Sequence, residues 1–97
     1  MTFKEKLIKI IRHYSEYSQI SKAVEELIEL SELLIKAVNK LEINMDSLYE
    51  EMADVEIMLA QLKIIYGIND EVLRNYKERK IDRTLKRIDA ETDCAWK

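Results

Sequence analysis

Residues 47–66 read SLYEEMADVEIMLAQLKIIY, and this stretch decides the fold. With each residue advanced by about 100° around a helix axis, Leu48, Met52, Val55, Leu59, Leu62 and Tyr66 fall on one stripe. Ala53, Ile57, Ala60 and Ile64 fall on a second stripe, nearly opposite. A surface helix of a monomer needs only one apolar stripe, so two stripes require partners on both sides. The spacing predicts a helix that opens at the Ser47/Glu50 capping-box pattern and runs to about Tyr66. Its second stripe is covered either by a first helix of the same chain or by another subunit. A chain of 97 residues has few helices to offer, and this favours an oligomer.

The same periodicity continues outward. Residues 3–14 form a first amphipathic segment with Leu7, Ile10, Ile11 and Tyr14 on one side, and Thr2 with Glu5 makes a capping-box pattern. After a break near Ser15 to Ser18, a second helix is expected from about Tyr17 to Lys40. Gly67-Ile68-Asn69-Asp70 is the clearest interruption, a glycine stop followed by Asn or Asp as N-cap. A fourth helix covers roughly 70–90, and the tail from Glu91 to Lys97 is expected to fray, with Trp96 a candidate for docking. The expected fold is all-α and four-helix bundle-like, a single domain assembled as a homo-oligomer.

Composition removes several function classes. The chain has no proline and one glycine, so collagen-like and linker-type sequences are excluded. Hydrophobic residues make up 47% and charged residues 36%, too apolar for disorder and too charged for a membrane bundle. No apolar run approaches the roughly 18 residues of a bilayer span, and Lys4, Glu5, Lys6 and Lys9 interrupt any signal-peptide core. One cysteine, Cys94, and one histidine, His13, allow neither an internal disulfide nor a zinc spacing. A cytoplasmic location is the expectation. Between Glu16 and Glu56 eleven acidic residues face three basic ones, whereas Arg74 to Arg87 holds seven basic and two acidic. The acidic half would repel polyanions and no aromatic-rich basic groove is visible, so neither nucleic acid nor a membrane is the expected partner. A site that holds a cation and a phosphate together fits both halves.

Some acids stand where apolar residues belong. Glu51 and Asp54 fall beside Val55, Met58, Leu62 and Ile65 rather than on a polar side. Three residues apart on a helix, they share one face. The second helix carries a similar pair: Glu26 borders the arc of Ala23, Leu27, Leu30 and Leu34, Glu29 lies further out, and Glu25 is adjacent. Antiparallel packing across the short 41–47 connection lets both pairs face one space. Unpaired carboxylates are costly to bury, so they protonate, pair with a base or bind a metal. Surface salt bridging, for example of Lys22 with Glu25 or Glu26, is the competing reading. All-oxygen ligation suits Mg²⁺, Mn²⁺ or Ca²⁺.

Glu25-Glu26-Leu27-Ile28-Glu29 followed by Glu51-Met52-Ala53-Asp54 matches E-E-x-x-E and then E-x-x-D. In this the chain resembles the MazG-like all-α nucleoside triphosphate pyrophosphohydrolases, the small bacterial and phage type. Lys80-Ile81-Asp82-Arg83 is similar to that family's basic K-x-x-R on the last helix, and the resemblance spans about residues 7–88. It implies hydrolysis of a nucleoside triphosphate to the monophosphate and pyrophosphate, as nucleotide-pool house-cleaning. It further implies Glu26, Glu29, Glu51 and Asp54 as Mg²⁺ ligands, with Mn²⁺ a possible substitute and Glu25 accessory. Lys80 and Arg83 would hold phosphate oxygens, joined by Lys22 if it is not simply paired with Glu26; Lys77 and Arg87 are further candidates. The same superfamily includes phosphoribosyl-ATP pyrophosphatases, and a non-catalytic helical interaction module of the same fold is the other alternative. Tyr14, Tyr17 and Trp96 are candidates to stack on a base, although aromatics at helical spacing more often pad a core or a surface.

Overall fold

Thr2 starts the first helix by accepting the Glu5 backbone N–H on its hydroxyl at 3.1 Å, as the capping pattern predicts. The computed structural model describes residues 1–95. It contains α1 (Phe3–Tyr14), α2 (Glu16–Lys40), α3 (Met45–Ile65) and α4 (Asp70–Ala95), and no strand among the described residues. None of these helices is long and apolar enough to cross a membrane.

The break between α1 and α2 is narrower than the sequence suggests. Ser15 alone makes the corner. Its N–H donates to the Ile11 carbonyl at 2.8 Å and closes α1, and its hydroxyl accepts the Ser18 N–H at 3.1 Å and opens α2. Its backbone lies at φ 95°, ψ 156°. That region is essentially reserved for glycine, and a side chain there costs ~1–3 kcal/mol. Replacing a serine N-cap by glycine costs only a few tenths of a kcal/mol. The strain is the larger effect, so Ser15→Gly is expected to stabilise the fold by about 1 kcal/mol, read as a higher urea midpoint at unchanged m-value. A lower midpoint would mean that the cap outweighs the strain.

Leu41, left-handed at φ 57°, ends α2. The next helix starts at Met45 rather than Ser47, because Asn44 takes the N-cap and its Oδ1 accepts the Ser47 N–H at 3.0 Å. The connection between α2 and α3 is four residues long, 41–44, so the two helices form an αα-hairpin. α1 packs against both of them. This unit, Met1–Gly67, has Leu7, Ile11, Ala23, Val55 and Met58 as its buried apolar core, with Gln19, Glu26 and Gln61 buried among them.

The buried arc of α3 is rotated from the expected stripe. Val55 is buried and Leu48 and Leu62 are half-buried, but Met52 and Leu59 are 46% exposed and Tyr66 is exposed. Met58 and Gln61 take the inner positions instead. The helix is apolar nearly all round, so periodicity identifies it as a helix without fixing which arc two neighbours will claim. On the opposite stripe Ile57, Ala60 and Ile64 are half-buried and Ala53 is exposed. A wider exposed apolar face lies on α2, where Val24, Leu27, Ile28, Leu34, Ile35 and Val38 are each at least 42% exposed.

Gln61 is 1% exposed, and its Oε1 has no hydrogen-bond partner. A buried acceptor left unpaired costs ~1–3 kcal/mol. Gln61→Met keeps the length of the side chain and removes the polar atoms. It is expected to raise stability by about 1–2 kcal/mol, read as a higher Tm. A lower Tm would show that the amide is bonded within the core.

Gly67, at φ 60°, stops the chain after α3, and Asn69 caps α4 by accepting the Val72 N–H at 3.0 Å. α4 belongs to a second unit beginning at Ile68. It continues to Ala95, past the expected end near residue 90, since neither glycine nor proline interrupts the chain after Gly67. Trp96 lies outside the described residues. Advancing by about 100° per residue, Arg79, Lys80, Arg83, Lys86 and Arg87 share one side of α4, and Ile81, Leu85 and Ile88 share the other. All eight side chains are exposed.

Candidate carboxylate site

The hairpin positions the acids. On α2, Lys22, Glu25, Glu26 and Glu29 span about two turns; on α3, Glu51 and Asp54 are one turn apart. Glu26, Glu51 and Asp54 each bring one carboxylate oxygen to within 4.8 Å of the others. Burial differs across the three. Glu26 is 6% exposed, Glu51 half-buried and Asp54 exposed. The buried Oε2 atoms of Glu26 and Glu51 have no hydrogen-bond partner. Glu26 owes its depth to its position in the α2 stripe that faces α3, in line with Gln19 and Ala23. The sequence identified it only as bordering an apolar arc.

Lys22 supplies part of the compensating charge. Its Nζ lies 3.2 Å from Glu26 Oε1 and 3.9 Å from Glu25 Oε2. The bond to Glu26 holds the Lys22 ammonium above its ordinary pKa. The lysine side chain is 52% exposed, so solvent weakens the pairing, and one cation faces several acids. Glu25 is exposed and serves Lys22 rather than the cluster. Glu29 is exposed and stands outside the close set of three. It still feels that set: the Glu26 charge pushes its carboxyl up, with desolvation and Glu51 adding to the effect. Burial pushes the Asp54 carboxyl up, and the Glu26 charge beside it acts the same way. His13 packs edge-on to the Tyr14 ring at 4.6 Å and belongs to no acidic group among the described residues. Lys80 and Arg83 stand on α4, in the second unit.

The donor set fits a hard divalent cation. Three carboxylates with two unpartnered buried oxygens offer oxygen ligands alone, the chemistry of Mg²⁺, Mn²⁺ or Ca²⁺. Without a cation the same crowding opposes folding. Asp54 and Glu29 bind protons more tightly in the folded chain than in the unfolded one. Stability therefore falls as pH rises from the ordinary carboxylate values of 3.8 and 4.5 through the raised ones. Metal-free protein is expected to melt higher at mildly acidic pH than at pH ~8, and Mg²⁺ should narrow that gap. Identical melting curves at the two pH values with and without Mg²⁺ would mean that the acids are not crowded.

No family model, no curated protein and no solved structure matches the chain.

Proposed function

We propose that the chain is a Mg²⁺-dependent nucleoside triphosphate pyrophosphohydrolase of the MazG-like type, releasing monophosphate and pyrophosphate. The observation that carries this reading is the convergence of Glu26, Glu51 and Asp54 within 4.8 Å, with buried oxygens left unpartnered. The E-E-x-x-E and E-x-x-D spacing, which the hairpin folds together, supports it.

Glu26, Glu51 and Asp54 would hold the cation, and Glu29, near enough to couple to Glu26, would join them when substrate is present. A bound Mg²⁺ would offset phosphate charge, orient the phosphate chain and lower the pKa of a coordinated water. Lys22, at the edge of the acids, would balance a phosphate oxygen. Lys80 and Arg83 receive a phosphate role from the resemblance alone. The protein would act as a homo-oligomer, joined through the exposed apolar face of α2.

A nucleotide panel that includes phosphoribosyl-ATP, incubated with and without Mg²⁺, tests the reading. Metal-dependent release of monophosphate and pyrophosphate supports it, and the preferred compound separates house-cleaning from histidine-type chemistry. The exposed α2 face also suits a non-catalytic interaction module, and turnover of no nucleotide would favour that alternative.

A further inference from the structure

A cleft of about 640 Å³ opens beside the acids, at the corner where α1 meets α2. Its size is that of a small-molecule site. Tyr14 and Tyr17 line it, yet they are 59% and 82% exposed. Aromatic rings so exposed contribute little to the core. Gln19 and Met58, both more than nine-tenths buried, also line it. The Gln19 side chain carries an amide donor and acceptor, the groups that an incoming polar edge would meet. Lys22 lines the cleft too and reaches Glu26 at 3.2 Å, so cleft and carboxylates are continuous through one side chain. Between the two tyrosines sits Ser15, the residue held in a glycine-type conformation. Strain of that kind persists where surrounding structure fixes it, and it clusters at ligand sites.

We propose that this cleft is the base subsite of the hydrolase. Tyr14 and Tyr17 stack a nucleobase and Gln19 bonds its polar edge, while the phosphates pass Lys22 toward Glu26, Glu51 and Asp54. This assignment rests on the hydrolase reading. A glutamine amide meets a donor–acceptor edge in either order after half a turn of its terminal bond. The subsite therefore selects a planar heterocycle of suitable size more than one particular base.

Saturation-transfer NMR with adenosine, cytidine, guanosine and uridine, free of phosphate and Mg²⁺, tests the subsite separately from the chemistry. Base protons are expected to receive more saturation than ribose protons. The double variant Tyr14→Ala/Tyr17→Ala should weaken nucleoside binding about tenfold or more. The Tyr14→Phe/Tyr17→Phe variant and Glu51→Gln should retain it. Absence of base saturation with every nucleoside, or an unchanged affinity in the alanine variant, would overturn the proposal. Triphosphate cleavage with an unchanged KM in the alanine variant would overturn it while leaving the hydrolase reading intact. Base saturation as expected, with no triphosphate cleaved, would uphold the subsite and remove the hydrolase reading.

Discussion

Glu51→Gln is expected to lower triphosphate turnover by roughly two orders of magnitude or more, a barrier increase of about 3 kcal/mol. The helix content should not change. Volume and shape are kept, and what disappears is one ligand charge from a set of three oxygens within 4.8 Å. The same substitution should raise the Tm of metal-free protein, because a half-buried carboxylate with an unpartnered oxygen no longer faces Glu26. Opposite movements of activity and stability identify a functional group held at a cost, whereas a surface salt bridge would lose little of either. Mg²⁺ affinity, circular dichroism and steady-state rates together decide the matter. Glu42→Gln, at an exposed position outside the cluster, should be silent. If Glu51→Gln kept most of the activity, Glu51 would not be a ligand.

The second large effect concerns assembly. Ile35→Asp is expected to reduce the protein to a monomer at micromolar concentration and to lower activity with it. Ile35 is 59% exposed within the chain, in a face shared with Val24, Leu27, Ile28, Leu34 and Val38. Contiguous apolar patches larger than a few hundred Å² mark interfaces. An ionised group at the centre of such an interface costs several kcal/mol, but the isolated chain already presents this position to water and should keep its fold. Ile57→Asp is less informative, since Ile57 is half-buried inside the three-helix unit and its loss would damage that unit directly. Light scattering gives the mass and circular dichroism the fold. A monomeric mass for the unmodified protein would remove the assembly argument.

Much of the fold was legible in the sequence because its signals are local. Thr2 and Asn69 act as caps and Gly67 as a stop, and the first helix has its predicted bounds. The carboxylate spacing also survives folding, since residues three apart on a helix share a face whatever the tertiary contacts. Questions that depend on neighbours were less legible. Met52 and Leu59 are candidates for the core as good as Met58, and only the packing of α3 against its neighbours distinguishes them. Gln61 reads as a polar interruption, yet it is the most deeply buried of the large side chains. The apolar run along α2 was hidden for a related reason. Leu27, Leu30 and Leu34 share the apolar arc that Glu26 borders, yet Leu30 is half-buried while Leu27 and Leu34 are 42% and 44% exposed. The cleft lies at the corner made by one residue, Ser15, in a conformation that no propensity favours.

That single-residue corner makes the N-terminal segment sensitive to insertions and deletions. Surface connections usually absorb added residues cheaply. Here α1 presents its buried positions, Leu7 and Ile11, as one line a turn apart, and Ser15 alone sets the rotation of that line relative to α2. One residue added within α1 after Ile11 would turn the line by about 100°, carrying both side chains toward solvent and exposed ones inward. Tyr14, on the Ser15 side of the insertion, would keep its place, so the core would be lost while the corner persisted. The four residues at 41–44 carry no such constraint on phase, and length variation among natural relatives of this chain should be found there and not at Ser15.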